Sequence, residues 1–342
     1  MGADTNVGAS GDSAILLARL NTIETPPYHL TSPIATATRQ TRKQLRIILL
    51  SPLFKEPDGS ETFLSRTAQW DNVQRLLTYV YVQTTKVMQE LDNILMDVDV
   101  LLLGTDKSST PPLGEVQRVY RVLPQTQDTD LDKLSSHYNL EPVWLEPSLH
   151  EDTEPVPPPP VPLHPTDSDL PPLFPVCALG GTFDHLHAGH KILLSMAAWI
   201  TSEKLIVGVT DDALLKNKAN KHVLESIDTR CERVRQFLVL FNPTLVYDIV
   251  PINDVYGPTA WDPNIQALVV SRETLSGGKM IDKVRAEKSL PPLKTFVIDV
   301  ISSTEACLDH DDAEVLKKSK MSSTLIREWI VKRQEKLPQG PH

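Results

Sequence analysis

Apolar positions along the first 140 residues follow two rhythms. Short unbroken runs, Gln44-Leu-Arg-Ile-Ile-Leu-Leu-Ser51 and Val98-Asp-Val-Leu-Leu-Leu-Gly104, have the length and composition of buried strands, and Gln117-Arg-Val-Tyr-Arg-Val122 that of a half-buried one. Between them Val73, Leu76, Leu77, Val80, Thr84, Val87, Met88 and Leu91 recur at helical spacing, which predicts a long amphipathic helix. Leu131 to Tyr138 reads as a short helix. Strands interleaved with helices predict a small α/β domain over residues 14–150, preceded by a small polar tail over residues 1–13.

A second, more regular alternation begins at Phe174. Strands are expected at Phe174 to Leu179, Lys204 to Val209, Thr244 to Val250, Gln266 to Ser271 and Lys294 to Asp299. Helices are expected at Lys191 to Ile200, from about Thr229, at Lys279 to Lys288, and at Ser323 to Lys332. Thr229 and Glu232 have the spacing of a capping box. This pattern predicts a doubly wound parallel sheet of Rossmann type over residues 174–335, with helices on both faces and a ligand crevice at the carboxyl ends of the strands. The last residues, 336–342, read as a tail.

Between the two alternations, Pro155 to Pro175 contains ten prolines, including Pro157-Pro-Pro-Pro160. Such a stretch favours extended polyproline conformation, so residues 151–173 are expected to be a linker. A ligand for proline-binding modules is the other use of such a sequence.

With 342 residues and 40% hydrophobic content the chain has material for two cores. The net charge of −10 argues against nucleic acid as the main partner, while leaving room for a local basic pocket that takes small anions. Cys177, Cys231 and Cys307 are far apart, which fits neither a disulfide framework nor a cysteine metal cluster. No apolar run has the length of a membrane span, and the N-terminal residues lack the basic region of a signal peptide. Asn6 also stands where a myristoylation motif wants Ser or Thr. A cytoplasmic protein is expected.

The chemistry concentrates in Gly180-Gly181-Thr182-Phe183-Asp184-His185-Leu186-His187-Ala188-Gly189-His190, which lies on a strand-to-helix turn. The first N–H groups of a helix lack internal acceptors and carry positive potential, so phosphate is the natural ligand of such a turn. Gly180 and Gly181 leave space for close approach of a phosphate chain to the backbone. His187 and His190, three apart, can face the same way and donate hydrogen bonds. A zinc site of His185, His187 and His190 is the rival, but no cysteine or carboxylate partner has ligand spacing, and no metal site is assigned.

Three more groups fall in strand-end loops or at a helix start. Lys216-Asn-Lys218-Ala-Asn-Lys221-His222 is a concentrated positive charge in an acidic chain, suited either to solvation or to neutralising phosphate. Arg272 at the end of an apolar strand needs an anion, from a ligand or from a neighbour such as Glu273. Ser322, Ser323 and Thr324 offer hydroxyls at a helix start, with Arg327 one turn on. Asp97 and Asp99 flank a strand of the first half, where a solvated strand end is the plainer reading.

Gly-Thr-Phe-Asp-x-x-His-x-Gly-His resembles the first signature of the nucleotidyltransferases that carry a His-x-Gly-His motif. Met321-Ser-Ser-Thr-Leu-Ile-Arg327 resembles the second, with Met321 in place of the usual Ile. Asp254-Val-Tyr-Gly-Pro-Thr259, Asp262, Ala267-Leu-Val-Val-Ser-Arg-Glu-Thr274, Gly277-Gly278 and Ile298-Asp299 narrow the resemblance to the eukaryotic and archaeal form of phosphopantetheine adenylyltransferase, as in coenzyme A synthase. These motifs span nearly all of residues 174–335, and the first half is similar to the extension that precedes this domain in eukaryotic versions. No Gly-x-x-x-x-Gly-Lys-[Ser/Thr] loop, as expected of the kinase domain that follows in the bifunctional animal enzyme, is present, which resembles the single-activity enzymes of fungi.

The resemblance implies transfer of AMP from ATP to 4'-phosphopantetheine, giving dephospho-coenzyme A and pyrophosphate, with Mg2+ arriving on ATP. It implies that His190 contacts the α-phosphate, and that His187 with Gly181 helps hold the triphosphate. Thr182 would contact the acceptor phosphate, Lys216 or Lys218 would bridge acceptor and α-phosphate, and Arg272 would serve the acceptor and pyrophosphate end. Ser322, Ser323, Thr324 and Arg327 would grip the β- and γ-phosphates. A nicotinamide mononucleotide adenylyltransferase or a cytidylyltransferase is the alternative within the superfamily. A non-catalytic scaffold that gathers other coenzyme A pathway enzymes is the alternative outside it.

Overall fold

Nearly every apolar run becomes a parallel strand. The computed structural model describes residues 11–55, 65–105, 113–123, 128–148, 170–298 and 321–336. The proline-rich stretch up to residue 169, Cys307, Asp299 and Lys320 lie outside them. The described residues group into two units, and residues 65–74 belong with the second unit.

In the first unit β1 (Gly11–Arg19), β2 (Thr41–Leu50), β3 (Asp97–Leu103), β4 (Arg118–Val122) and β5 (Val143–Leu145) form one parallel sheet in the order β3-β2-β1-β4-β5. Helices α1 (Thr31–Arg39), α2 (Trp70–Glu90), which belongs to this unit from Arg75 on, and α3 (Thr129–Ser136) lie between the strands in sequence. The central strand β1 begins at Gly11, inside the stretch expected to be tail, and its core residues Ile15 to Ala18 are fully buried. Helix α1 has no counterpart in the sequence reading, because Thr-Ser-Pro-Ile-Ala-Thr-Ala-Thr-Arg is poor in strong helix formers. Burial of Pro33, Ile34, Ala37 and Thr38 on one face stabilises it instead. Asp99 is buried and ion-paired to Arg46 at 3.6 Å, and Asp97 accepts from Gln44, so both carboxylates have structural partners.

The second unit repeats that order. Strands β6 (Phe174–Gly181), β7 (Thr201–Thr210), β8 (Val246–Ile252), β9 (Ala267–Ser271) and β10 (Lys294–Ile298) pair in parallel as β10-β9-β6-β7-β8. Numbered within each unit, both sheets read 3-2-1-4-5. Helix α4 (Ala188–Ile200) is apolar all round, and every residue from Lys191 to Ile200 is buried. It packs with α5 (Ile227–Phe241), while α6 (Leu275–Glu287) puts Ile281 into a core with Ala178, Ile206, Leu268 and Val270. Helix α7 (Ser323–Lys336) ends the described chain. Helix α5 starts two residues before the expected Thr229: Ser226 is its cap, accepting from the Thr229 N–H at 3.3 Å, and Glu232 accepts from Gln236. Residues 65–74 also hold this unit, since Thr67 donates to the carbonyls of Pro171 and Pro172 and Arg66 lies over the Trp199 ring. Among the described residues no helix is long and apolar enough to cross a membrane.

Ile252, at the end of β8, sits where three glycines leave room. A Cβ on Gly208 would stand 3.0 Å from its Cδ1, one on Gly180 would meet the same atom at 3.8 Å, and one on Gly257 would stand 2.8 Å from its Cγ2. Gly257 is also left-handed, with φ +50°. Gly257→Ala is therefore expected to lower unfolding free energy by about 2 kcal/mol, read by urea titration, from the left-handed conformation and the contact together. A variant as stable as the parent would show that the turn relaxes freely.

Candidate active site

Between the end of β6 at Gly181 and the start of α4 at Ala188 the backbone makes an unusual turn. Phe183 (φ 52°) and His185 (φ 45°) are both left-handed, a conformation rare for bulky residues and maintained only where surroundings impose it. Phe183 is fully buried. Its ring covers Gly181, where a Cβ would lie 3.0 Å from the ring, so the bare face expected to admit phosphate is taken by this phenyl group. What Gly181 offers a ligand is its backbone.

Asp184, between the two left-handed residues, is fully buried and holds the turn from within. Its Oδ1 accepts from the Glu225 N–H at 2.9 Å, and its Oδ2 from Arg327 Nη1 at 2.5 Å. Its carbonyl accepts from Ser323 Oγ at 2.8 Å. The neighbouring His185 N–H donates to Glu225 Oε2 at 2.8 Å, and Glu225 also pairs with Arg233 at 2.9 Å. The first and second signatures therefore meet at one aspartate, whose role the sequence did not disclose.

Arg327 is 2% exposed as a side chain. Its Nε donates to the Ala219 carbonyl at 2.9 Å and its Nη2 to Thr324 Oγ1 at 3.2 Å. One guanidinium thus joins the glycine turn, the basic loop and the start of α7. Ser322 caps α7, accepting from the Leu325 N–H at 3.3 Å, while Thr324 is exposed. The starts of α4 and α7 consequently converge on the same turn, and both carry positive potential.

His187 and His190 stack with ring centroids 3.9 Å apart and planes at 26°. His190 also packs against Phe183, with ring centroids 5.3 Å apart. His190 Nδ1 is buried and has no hydrogen-bond partner among the described residues. Burial pushes the His190 pKa down to about 4 against an opposing pull from Asp184, so the ring is neutral at pH 7. A neutral imidazole in this place donates one N–H without bringing a fixed charge.

The remaining expected residues lie on loops at the carboxyl ends of the strands. Thr182 follows β6, the exposed Lys216 and Lys218 follow β7, and the exposed Arg272 follows β9. Parallel pairing of β6 with both β7 and β9 puts these loops along one edge of the sheet. A buried residue missed by sequence reasoning, Arg230 of α5, ties two of them together. Its only signal was a charged residue on the inward side of an amphipathic helix. Cys177 is buried, and its thiol pKa is pushed up to about 12, so it is no nucleophile.

Asp184, His185 and Glu225 bring ligand-type atoms within 4.8 Å of one another. The donor set fits a resident Mg2+ poorly. His185 Nε2 faces the Val223 carbonyl at 2.8 Å and must donate there, and the carboxylate oxygens already accept from Arg327, Arg233 and backbone N–H groups.

A family model described as cytidylyltransferase-like matches residues 178–329. The chain is 48% identical over 157 residues to a phosphopantetheine adenylyltransferase of Saccharomyces cerevisiae, a match covering 46% of this chain and 49% of that protein. This chain therefore spans about half the length of its yeast relative. Archaeal proteins of the same name are matched over most of their length. The Pyrococcus horikoshii protein is 33% identical over 91% of its length and 46% of this chain, and the Methanopyrus kandleri protein 37% identical over 77% of its length and 36% of this chain. The family model's match lies in the unit that carries the glycine and histidine turn, and this chain belongs to the phosphopantetheine adenylyltransferase family.

Proposed function

We propose that the chain transfers AMP from ATP to 4'-phosphopantetheine. A phosphate oxygen of the acceptor attacks the α-phosphorus in line, the bond from that phosphorus to the bridging β-oxygen breaks, and pyrophosphate leaves with the electron pair. The attacking oxygen is already anionic at neutral pH, so no general base is needed. The protein's task is to align two polyanions and to offset charge in the transition state.

The observation that carries this reading is the junction at Asp184, where a stacked histidine pair, two helix starts and a lysine-bearing loop are bound into one turn. In this reading His190 donates to the α-phosphate, and His187 and the Gly181 backbone hold the triphosphate. Ser322, Ser323 and Thr324 meet the β- and γ-phosphates, with Arg327 supporting that grip from beneath through Thr324. Thr182, Arg272 and Lys216 or Lys218 receive the acceptor phosphate. Mg2+ enters as part of the ATP complex, held by phosphate oxygens. The free thiols of Cys177 and Cys231 support a reducing, cytoplasmic setting.

The test is to incubate the purified full chain with MgATP and, separately, 4'-phosphopantetheine, nicotinamide mononucleotide and phosphocholine, and to follow pyrophosphate release. Release with 4'-phosphopantetheine alone is expected. Release with another acceptor, or with none, overturns the assignment.

A further inference from the structure

We propose that Arg230 is a positioning residue for the transfer, setting the separation between the Thr182 end of the glycine turn and the loop that carries Lys216 and Lys218. The proposal rests on the reaction assigned above. Arg230 is fully buried on α5, and an enclosed guanidinium is stable only when its N–H groups are met. Here four acceptors meet them, all in segments that border the candidate site. Nη1 donates to the Thr182 and Thr210 carbonyls, both at 2.8 Å, and Nε donates to the Glu225 carbonyl at 3.0 Å. Nη2 donates to Asp212 Oδ1 at 2.5 Å, and Asp212 is half exposed, so the opposing charge stands at the solvent edge.

The placement of the two carbonyls gives the contact its meaning. Thr182 and Thr210 lie at the ends of β6 and β7, which are last paired at Gly181 with Val209. Beyond that pair the two chains separate, one toward His187 and His190, the other toward Lys216 and Lys218. A single Nη1 group bonded to both carbonyls fixes the gap where they diverge, and the rigid planar fork extends that hold to Asp212 and Glu225. The acceptor phosphate must lie between Thr182 and a lysine. Displacing either by about 1 Å is enough to cost about 100-fold in rate.

The same unit supplies a control. Arg285 of α6 is equally buried and also bonds backbone, donating to the carbonyls of Pro291, Thr259 and Asp262. Those residues lie between β8 and β9 and just before β10, in segments that carry none of the candidate residues. A purely structural contribution from a buried arginine would appear equally in both.

The experiment compares Arg230→Lys, Asp212→Asn and Arg285→Lys in the full chain by thermal unfolding, steady-state kinetics and hydrogen exchange. Arg230→Lys is expected to lower kcat about 100-fold with the KM for ATP changed less than about threefold, because alignment is lost while the ATP grip remains. Backbone exchange in residues 211–218 should quicken while β6 and β7 stay protected. Asp212→Asn should shift both readouts the same way and by less, and it tests the proposal even if Arg230→Lys does not fold. Arg285→Lys should lower the melting temperature without lowering kcat. Parental kcat in a folded Arg230→Lys and in Asp212→Asn, or equal kcat losses at Arg230 and Arg285, overturns the proposal. If the parent releases no pyrophosphate with 4'-phosphopantetheine, the function assignment fails, and the exchange rates alone decide whether Arg230 anchors the loop.

Discussion

Replacing His190 by alanine is expected to slow adenylyl transfer by about 10²- to 10³-fold, the usual cost of removing one donor aimed at developing charge. In the proposed reaction that donor is the His190 ring. It packs against Phe183 and His187, and among the described residues its buried Nδ1 has no hydrogen-bond partner. Loss of the ring should therefore leave the fold in place, with a melting temperature near the parent's at pH 7. Unchanged turnover in a folded His190→Ala protein would remove this histidine from the chemistry.

The same variant has a second signature in acid. An unfolded histidine titrates near 6.5, whereas burial lowers the folded value to about 4. Above pH 6.5 the ring is neutral in both states and contributes no slope. Between 6.5 and about 4 the unfolded chain takes up a proton that the native state refuses, so the native state loses stability as pH falls. His190→Ala should abolish that share of the acid dependence. The check is the difference in melting temperature between variant and parent at pH 7 and at pH 5, which should move in favour of the variant at the lower pH.

Asp184→Asn is expected to destabilise the protein by about 3–5 kcal/mol, the usual effect of leaving a buried charge without its partner. Arg327 is nearly as enclosed as Asp184 and has no solvent to turn to. The loss should include the turn itself, since Phe183 and His185 keep their left-handed conformations on either side of this anchor. Denaturant titration of Asp184→Asn, Arg327→Met and the double variant separates the effects. The double variant should recover part of the stability, because it removes both charges. It should not recover activity, because the bonds from Arg327 to Ala219 and Thr324 remain lost. An Asp184→Asn protein within about 1 kcal/mol of the parent would mean that this ion pair is dispensable to the turn.

The parts of the molecule that sequence disclosed are those written in contiguous residues. The second sheet, the strand-to-helix turn and the paired histidines all follow from local periodicity and spacing. The central strand β1 was lost because its run from Ala14 to Ala18 directly follows a polar, glycine-bearing terminus, and α1 because tertiary burial overrides its weak propensity. The reason for Gly181 was also misread: the glycine accommodates Phe183, two residues away. Asp184, Arg230 and Arg327 were hardest to read, since their meaning lies in bonds to residues 41, 48 and 143 positions distant. A single sequence carries no trace of such pairings until the strands are set side by side.

Both halves of the chain wind their strands in one order, yet the corresponding ledge in the first half lacks the residues assigned to phosphate in the second. Where the second half has Gly180 to His190, the first runs from Leu20 to Leu30 without a glycine and with Pro26 and Pro27 in succession. At its rim Arg19 is already neutralised by Asp128 and Asp130, each at 3.1 Å. An incoming phosphate would meet two carboxylates there and a cation that is spoken for. The shared winding therefore provides only a shelf, and what such a shelf can hold depends on the residues laid along it.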